Sequence, residues 1–207
     1  MMSGSRILAT AITVLSLGVA ALAGDSDRMG VPLSHEVEET IEQANDAARQ
    51  GDYHLALALV EGALLDEPIK LAIDKDSSPS RLHTQAAKVA MKTWDRVLDG
   101  DFPVTYVDSV DDADVVIRFV PSLDKGYQST LGQISLQREY RWSRSMHEVE
   151  ATGVIYVGIE SQGEELSHSE VRSVVMHEFG HLLGLECIER TGILMGRMLR
   201  GHPVTEP

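Results

Sequence analysis

Cysteine is nearly missing from this chain of 207 residues, where Cys187 stands alone. No intrachain disulfide can form, so the chain is not a small scaffold stapled by bridges. Positive charge is also scarce: 18 Lys and Arg stand against 32 Asp and Glu, a net charge of −14. Nucleic acid and anionic membrane surfaces both need a basic face, and this balance speaks against either as a partner. With 43 % apolar and 24 % charged residues, the composition is neither collagen-like nor that of a wholly disordered chain. The length suits one moderate domain, or a small module joined to a compact one.

The first stretch reads as an address. Arg6 precedes an uncharged apolar run over residues 7–23 that closes on Ala21-Leu22-Ala23. At 1.5 Å per residue the run reaches about 26 Å, short of the ~30 Å hydrocarbon core of a bilayer. A basic start, an apolar middle and small residues at the end have the layout of a secretory signal peptide rather than a membrane anchor. Residues 1–23 are therefore expected to be removed, leaving an exported chain from Gly24 that no membrane holds. Its destination, secreted or in the cell envelope, is open. In such a compartment Cys187 is a reactive thiol, half of an intermolecular bridge, a ligand, or a small buried hydrophobe.

Ser34 can cap a helix whose apolar residues Val37, Ile41, Ala44, Ala47 and Ala48 recur at spacings of three and four. Gly51-Asp52 stops it, and Tyr53 opens a second helix with a wide stripe of Leu55, Ala56, Leu59, Val60, Ala63 and Leu64 that ends at Pro68. The pair resembles one tetratricopeptide repeat, with Ala47, Ala56, Val60, Ala63 and Pro68 at matching positions. No second copy follows, and stacking needs about three. The plainer reading is a helical hairpin packed on the next domain; the sharper one is a hairpin that recruits a protein partner. Residues 24–73 are assigned to this module and residues 74–207 to a second domain, with the DKDSSPS stretch at 74–80 as linker and helix start.

Residues 81–98 carry a helical pattern, and residues 102–107, 113–120 and 153–159 read as strands. Residues 133–142 alternate, with Ile134, Leu136, Tyr140 and Trp142 on one face, interrupted by Arg138, and polar side chains on the other. Such a strand has one wet face or lies at a sheet edge. A helix, strands, then a further helix predict an α+β domain.

That last helix opens on an S-x-x-E capping box, Ser167 and Glu170, and runs to Gly184. Inside it, His177 and His181 lie four apart on one face, close enough for two imidazoles to grip one metal ion. Glu178 leans beside them, where a carboxylate can take a proton from a water activated by the metal. Gly184 permits a sharp turn, Cys187 offers a third ligand, and Met195 follows in Gly-Ile-Leu-Met-Gly, placed for a turn beneath the site. Four aspartates, 108, 111, 112 and 114, crowd one turn and could hold calcium, although without EF-hand spacing a solvated turn is the plainer reading.

The stretch HEFGHLLGLEC at 177–187, followed by ILM at 193–195, resembles the metzincin zinc endopeptidases, and within them the matrixin-like branch. The resemblance extends over residues 80–200 and leaves the helical pair aside. It implies a twisted mixed sheet with an active-site helix and one catalytic zinc held by His177 and His181. It also implies Glu178 as general base, Gly184 as the turn to the third ligand and Met195 as support from below. The family's substrate-pairing edge strand best matches residues 131–136.

Cys187 stands where the family has His or Asp. Thiolate is an excellent zinc ligand, but it donates more charge than imidazole, so a weaker Lewis acid and a slower peptidase are expected. Glu186, Glu189 and His202 are the other candidates for the third ligand. The functional expectation is an exported zinc endopeptidase acting on protein or peptide. The alternatives are a catalytically inert metzincin-like binding protein whose hairpin recruits a partner, and a hairpin that serves as a removable pro-segment cut near residues 74–80.

Overall fold

A computed structural model of the chain describes residues 33–64, 68–100, 102–123, 130–142, 147–187, 194–196, 198 and 201. The expected signal peptide and two of the alternative ligands, Glu189 and His202, lie outside them. Among the described residues no helix is long and apolar enough to cross a membrane.

Helix α1 (His35–Arg49) starts where Ser34 caps it, its hydroxyl accepting from the Val37 N–H. Glu36 and Glu38 in its first turn and Arg49 in its last suit the helix dipole. Gly51, at φ +82°, turns the chain into α2 (Tyr53–Leu64). The two helices close on Ala44, Leu59 and Val60, with Leu55 against them, and α2 packs on the sheet strands β4 and β5 described next. The hairpin is thus joined to the sheet.

Five strands build that sheet: β1 (Ile69–Ile73), β2 (Val104–Tyr106), β3 (Val115–Val120), β4 (Gly132–Trp142) and β5 (His147–Gly158). Their order is β2-β1-β3-β5-β4; the first three pairings are parallel, and β4 runs antiparallel to β5 at the edge. The mixed sheet and helices make the α+β fold that the sequence predicts. The expected strands fall at β2, β3, β4 and within β5. Strand β1 is the addition. Its five residues, on the hairpin side of Asp74, sit between β2 and β3, with Leu71 and Ala72 fully buried.

Register puts Leu71 beside Val115, Ile117 beside Ile155 and Ile155 beside Ile134. This face carries the core, covered by α3 (Arg81–Val97) and, after the short pair β6 (Glu160–Ser161) and β7 (Glu164–Glu165), by α4 (His168–Leu182). Alanines 86, 87 and 90 let α3 approach closely, and Trp94 donates its indole N–H to the Met176 carbonyl at 2.9 Å. Phe102 fills the space between Trp94 and Phe179. Helix α4 is thereby fixed in rotation, which decides where its histidines point.

Candidate metal centre

Helix α4 begins with the capping box read from the sequence: the Ser167 N–H donates to Glu170 at 2.8 Å, and the Glu170 N–H returns to the Ser167 hydroxyl. Three turns on, the His177 and His181 rings lie 4.8 Å apart and nearly perpendicular. Each Nδ1 is 2.8 Å from a backbone carbonyl, that of Leu194 for His177 and that of Leu185 for His181. A carbonyl can only accept, so each Nδ1 carries the proton and each Nε2 keeps its lone pair free. Both Nε2 atoms lie 3.4 Å from the Cys187 sulfur. The three atoms fall within 4.8 Å of one another and form a group able to hold a metal ion. Backbone carbonyls that orient ligating imidazoles in this way set tautomer and aim together.

The turn that brings Cys187 in depends on Gly184, at φ +82°. A Cβ there would press to 2.7 Å from Val37 of α1, and the Ser34 N–H donates to the Gly184 carbonyl at 2.7 Å. Leu33 and Leu185 form an antiparallel bridge beside it. The loop that carries Cys187 is therefore braced by the start of the helical hairpin. Below the helix, Met195 is buried against Gly180, where any Cβ would overlap its thioether. Leu194 and Met195 act as a unit, one orienting His177 and the other filling the floor.

Glu178 is 4 % exposed, and burial pushes its carboxyl up to about 8. Burial also holds His177 below the ordinary imidazole range, in the neutral form that a ligand needs. Desolvation, then the charges of Glu178 and Glu186, hold the Cys187 thiol above its ordinary value. A bound cation would oppose both the Glu178 and the Cys187 shifts. Edge strand β4 comes against Glu178 at Gly132, where a Cβ would overlap Glu178 Oε1 and lie 2.7 Å from Val174. A cleft of ≈ 560 Å³ runs between β4 and α4, with Gly132, Ile134, Arg138, Glu178, His181 and Cys187 on its walls.

The structure thus gathers His177, Glu178, His181, Cys187, Gly184 and Met195 in one place. Glu186 is exposed beside Cys187 and outside the ligand group. Among the described residues the four aspartates of the 108–114 turn form no such group, and the Asp114 carboxylate accepts the Lys70 N–H. His83 is a packing residue, stacked on Phe119 and accepting the Ser80 N–H at the start of α3. Arg138, Ser34 and Glu36 line the cleft without having been singled out as site residues, and Gly132 was marked only as part of the 131–136 stretch. Arg138 had a signal, as the charge that interrupts an apolar strand face; Ser34 and Glu36 had none beyond helix capping. Compared with known proteins, the chain matches no family model and no curated sequence.

Proposed function

We propose that this protein is an exported zinc-dependent endopeptidase of metzincin-like design, cleaving an extended peptide laid along β4. The observation that carries this reading is two histidines and a cysteine converging beside a buried glutamate, in a cleft bordered by a strand whose outer edge pairs with no other strand among the described residues. A tetrahedral zinc with N and S ligands at 2.0–2.1 and 2.3 Å needs N···S separations of about 3.5 Å. The 3.4 Å found for both histidines matches the N···S part of that geometry. Export rests on residues 1–23 alone.

His177, His181 and Cys187 would hold the ion, which when bound supplies Lewis-acid chemistry to a carbonyl and a water. The chain's own groups do the rest. The outer edge of β4 offers backbone N–H and C=O groups to an extended segment, fixing its direction and depth. Gly132 lets that edge approach Glu178 without a side chain between them. Glu178 takes the proton of the attacking water and hands it to the leaving amine. A carboxylate can do both, and Glu178, 4 % exposed, lines the cleft beside the two histidines. The carbonyls of Leu194 and Leu185 keep both imidazoles from turning.

The test is zinc content and digestion of an unfolded protein by residues 24–207, beside Glu178→Gln and Cys187→Ala. Glu178→Gln is expected to keep its zinc and lose roughly 10²–10⁴ in rate. Cys187→Ala is expected to lose zinc and activity together. Full activity in Glu178→Gln defeats the assignment, and equal zinc in Cys187→Ala moves the third ligand elsewhere. Zinc without hydrolysis in the parent favours the inert binding protein.

A further inference from the structure

We infer that Arg138 is a specificity residue, receiving an acidic side chain of a peptide bound along β4, with Glu36 occupying that seat until the peptide arrives; this rests on the cleft reading above. Gly132, Ile134, Leu136 and Arg138 share the inward face of β4, opposite Val157, Ile155, Gly153 and Ala151 of β5. Ile134 and Leu136 spend that face on the core. Arg138 does not. Its side chain is only 5 % exposed, yet it is a guanidinium, and it lines the same cleft as the ligand group. Nη1 donates to Glu36 Oε1 at 3.0 Å, while the buried Nε has no partner among the described residues. A guanidinium offers a carboxylate two parallel N–H groups along either of two edges; Glu36 is on Nη1, and the adjoining edge that carries Nε has its Nε unfilled among the described residues.

Glu36 is an exchangeable partner. Its side chain is 67 % exposed, on the first turn of α1, so a competing carboxylate returns it to water at little cost. The reverse exchange, Arg138 losing every carboxylate, would strand a buried cation. Arg138 is also the sole arginine or lysine among the described residues of the cleft wall, where Glu36 and Glu178 are the acids. A strand added to β4 pairs with it residue for residue. Gly132 faces Glu178, and Arg138 is about 20 Å further along at ~3.3 Å per residue. The favoured acid therefore lies roughly six residues from the cleaved bond. The chain's net charge of −14 repels acidic peptides at long range, so the preference is local and survives at 0.15 M salt, where the screening length is about 8 Å.

The test uses the zinc-loaded Glu178→Gln chain and fluorescent twelve-residue peptides in which one Glu or Gln is walked along the sequence. Anisotropy is expected to show one position where Glu binds about tenfold tighter than Gln. Arg138→Gln should erase that ratio and Arg138→Lys should keep part of it. Glu36→Gln should raise it several-fold, because the resident competitor is gone. A latch that merely ties α1 to β4 predicts the opposite for Glu36→Gln, a loss of binding for both peptides alike, and that result would overturn the inference. So would a Glu-to-Gln ratio of one in the parent, or a ratio untouched in Arg138→Gln. Melting curves identify a variant that has failed to fold, and Arg138→Lys and Glu36→Gln then decide the matter. Digestion by the parent without any Arg138-dependent preference sinks this inference and leaves the peptidase. Arg138-dependent binding without digestion does the reverse.

Discussion

A methyl group at position 132 would have to share space with the Glu178 carboxylate and Val174. Gly132→Ala is therefore expected to push β4 off the helix, destabilising the fold by about 1–3 kcal/mol. On the peptidase reading proposed above, hydrolysis should fall by roughly tenfold or more as the edge of β4 and Glu178 lose their alignment. Zinc content should stay at the parent level, because no ligand touches position 132; metal analysis beside melting and rate measurements checks all three. At this scale the candidate metal group was legible in the sequence because the information is local. His177 and His181 are one turn apart, and Ser167 and Glu170 set where that helix begins. The role of Gly132 was not legible, since it depends on which residue of α4 lies across from it. Cys187 is intermediate: its spacing after Gly184 nominated it, and only the fold shows its sulfur equidistant from both imidazoles.

Strands β1 and β3 are stitched at their ends by one charged pair. Arg118 Nε donates to the Asp74 carboxylate at 2.8 Å, and the Asp76 N–H donates to the same group. The Arg118 bond, more than offsetting burial, holds Asp74 below the ordinary carboxylate range. The unfolded chain then binds the proton more readily than the folded one. The pair's contribution is present above the unfolded value near 3.8 and is lost as pH falls through the folded one. Asp74→Asn should lower stability at pH 7 and flatten the acid limb of a stability-against-pH curve. A limb as steep as the parent's would assign the acid sensitivity elsewhere. The sequence marked residues 74–80 as a linker from its charge, its small residues and Pro79. The structure uses the same residues as a hydrogen-bonded corner, with Ser77 accepting the Phe119 N–H. Strand β4 was the easiest element to read, because an edge strand must alternate. Strand β1 was the hardest, since IKLAI is only five residues long, with exposed Lys70 and buried Ala72 on the same face, so no sustained alternation betrays it.

Beyond the packing of α2 on β4 and β5, the start of α1 is held at three places: Ser34 on Gly184 and Val37 against that same glycine, both in the turn after α4, and Glu36 on Arg138 of β4. None of these contacts has a sequence signature, because each joins residues about 100 or more positions apart whose pairing exists only once the chain is folded. The α+β character, by contrast, follows from periodicity and was readable. Chain order adds one more consequence. Everything up to Ile73 precedes the corner at 74–80, yet β1 lies inside the sheet, flanked by β2 and β3. A protease that cut that corner would release nothing. It would leave a two-chain molecule in which the first fragment lends the second an inner strand, as a split reporter does. The pieces should co-elute on gel filtration and part only in denaturant. Free release of the first fragment under native conditions would show that the sheet closes without it.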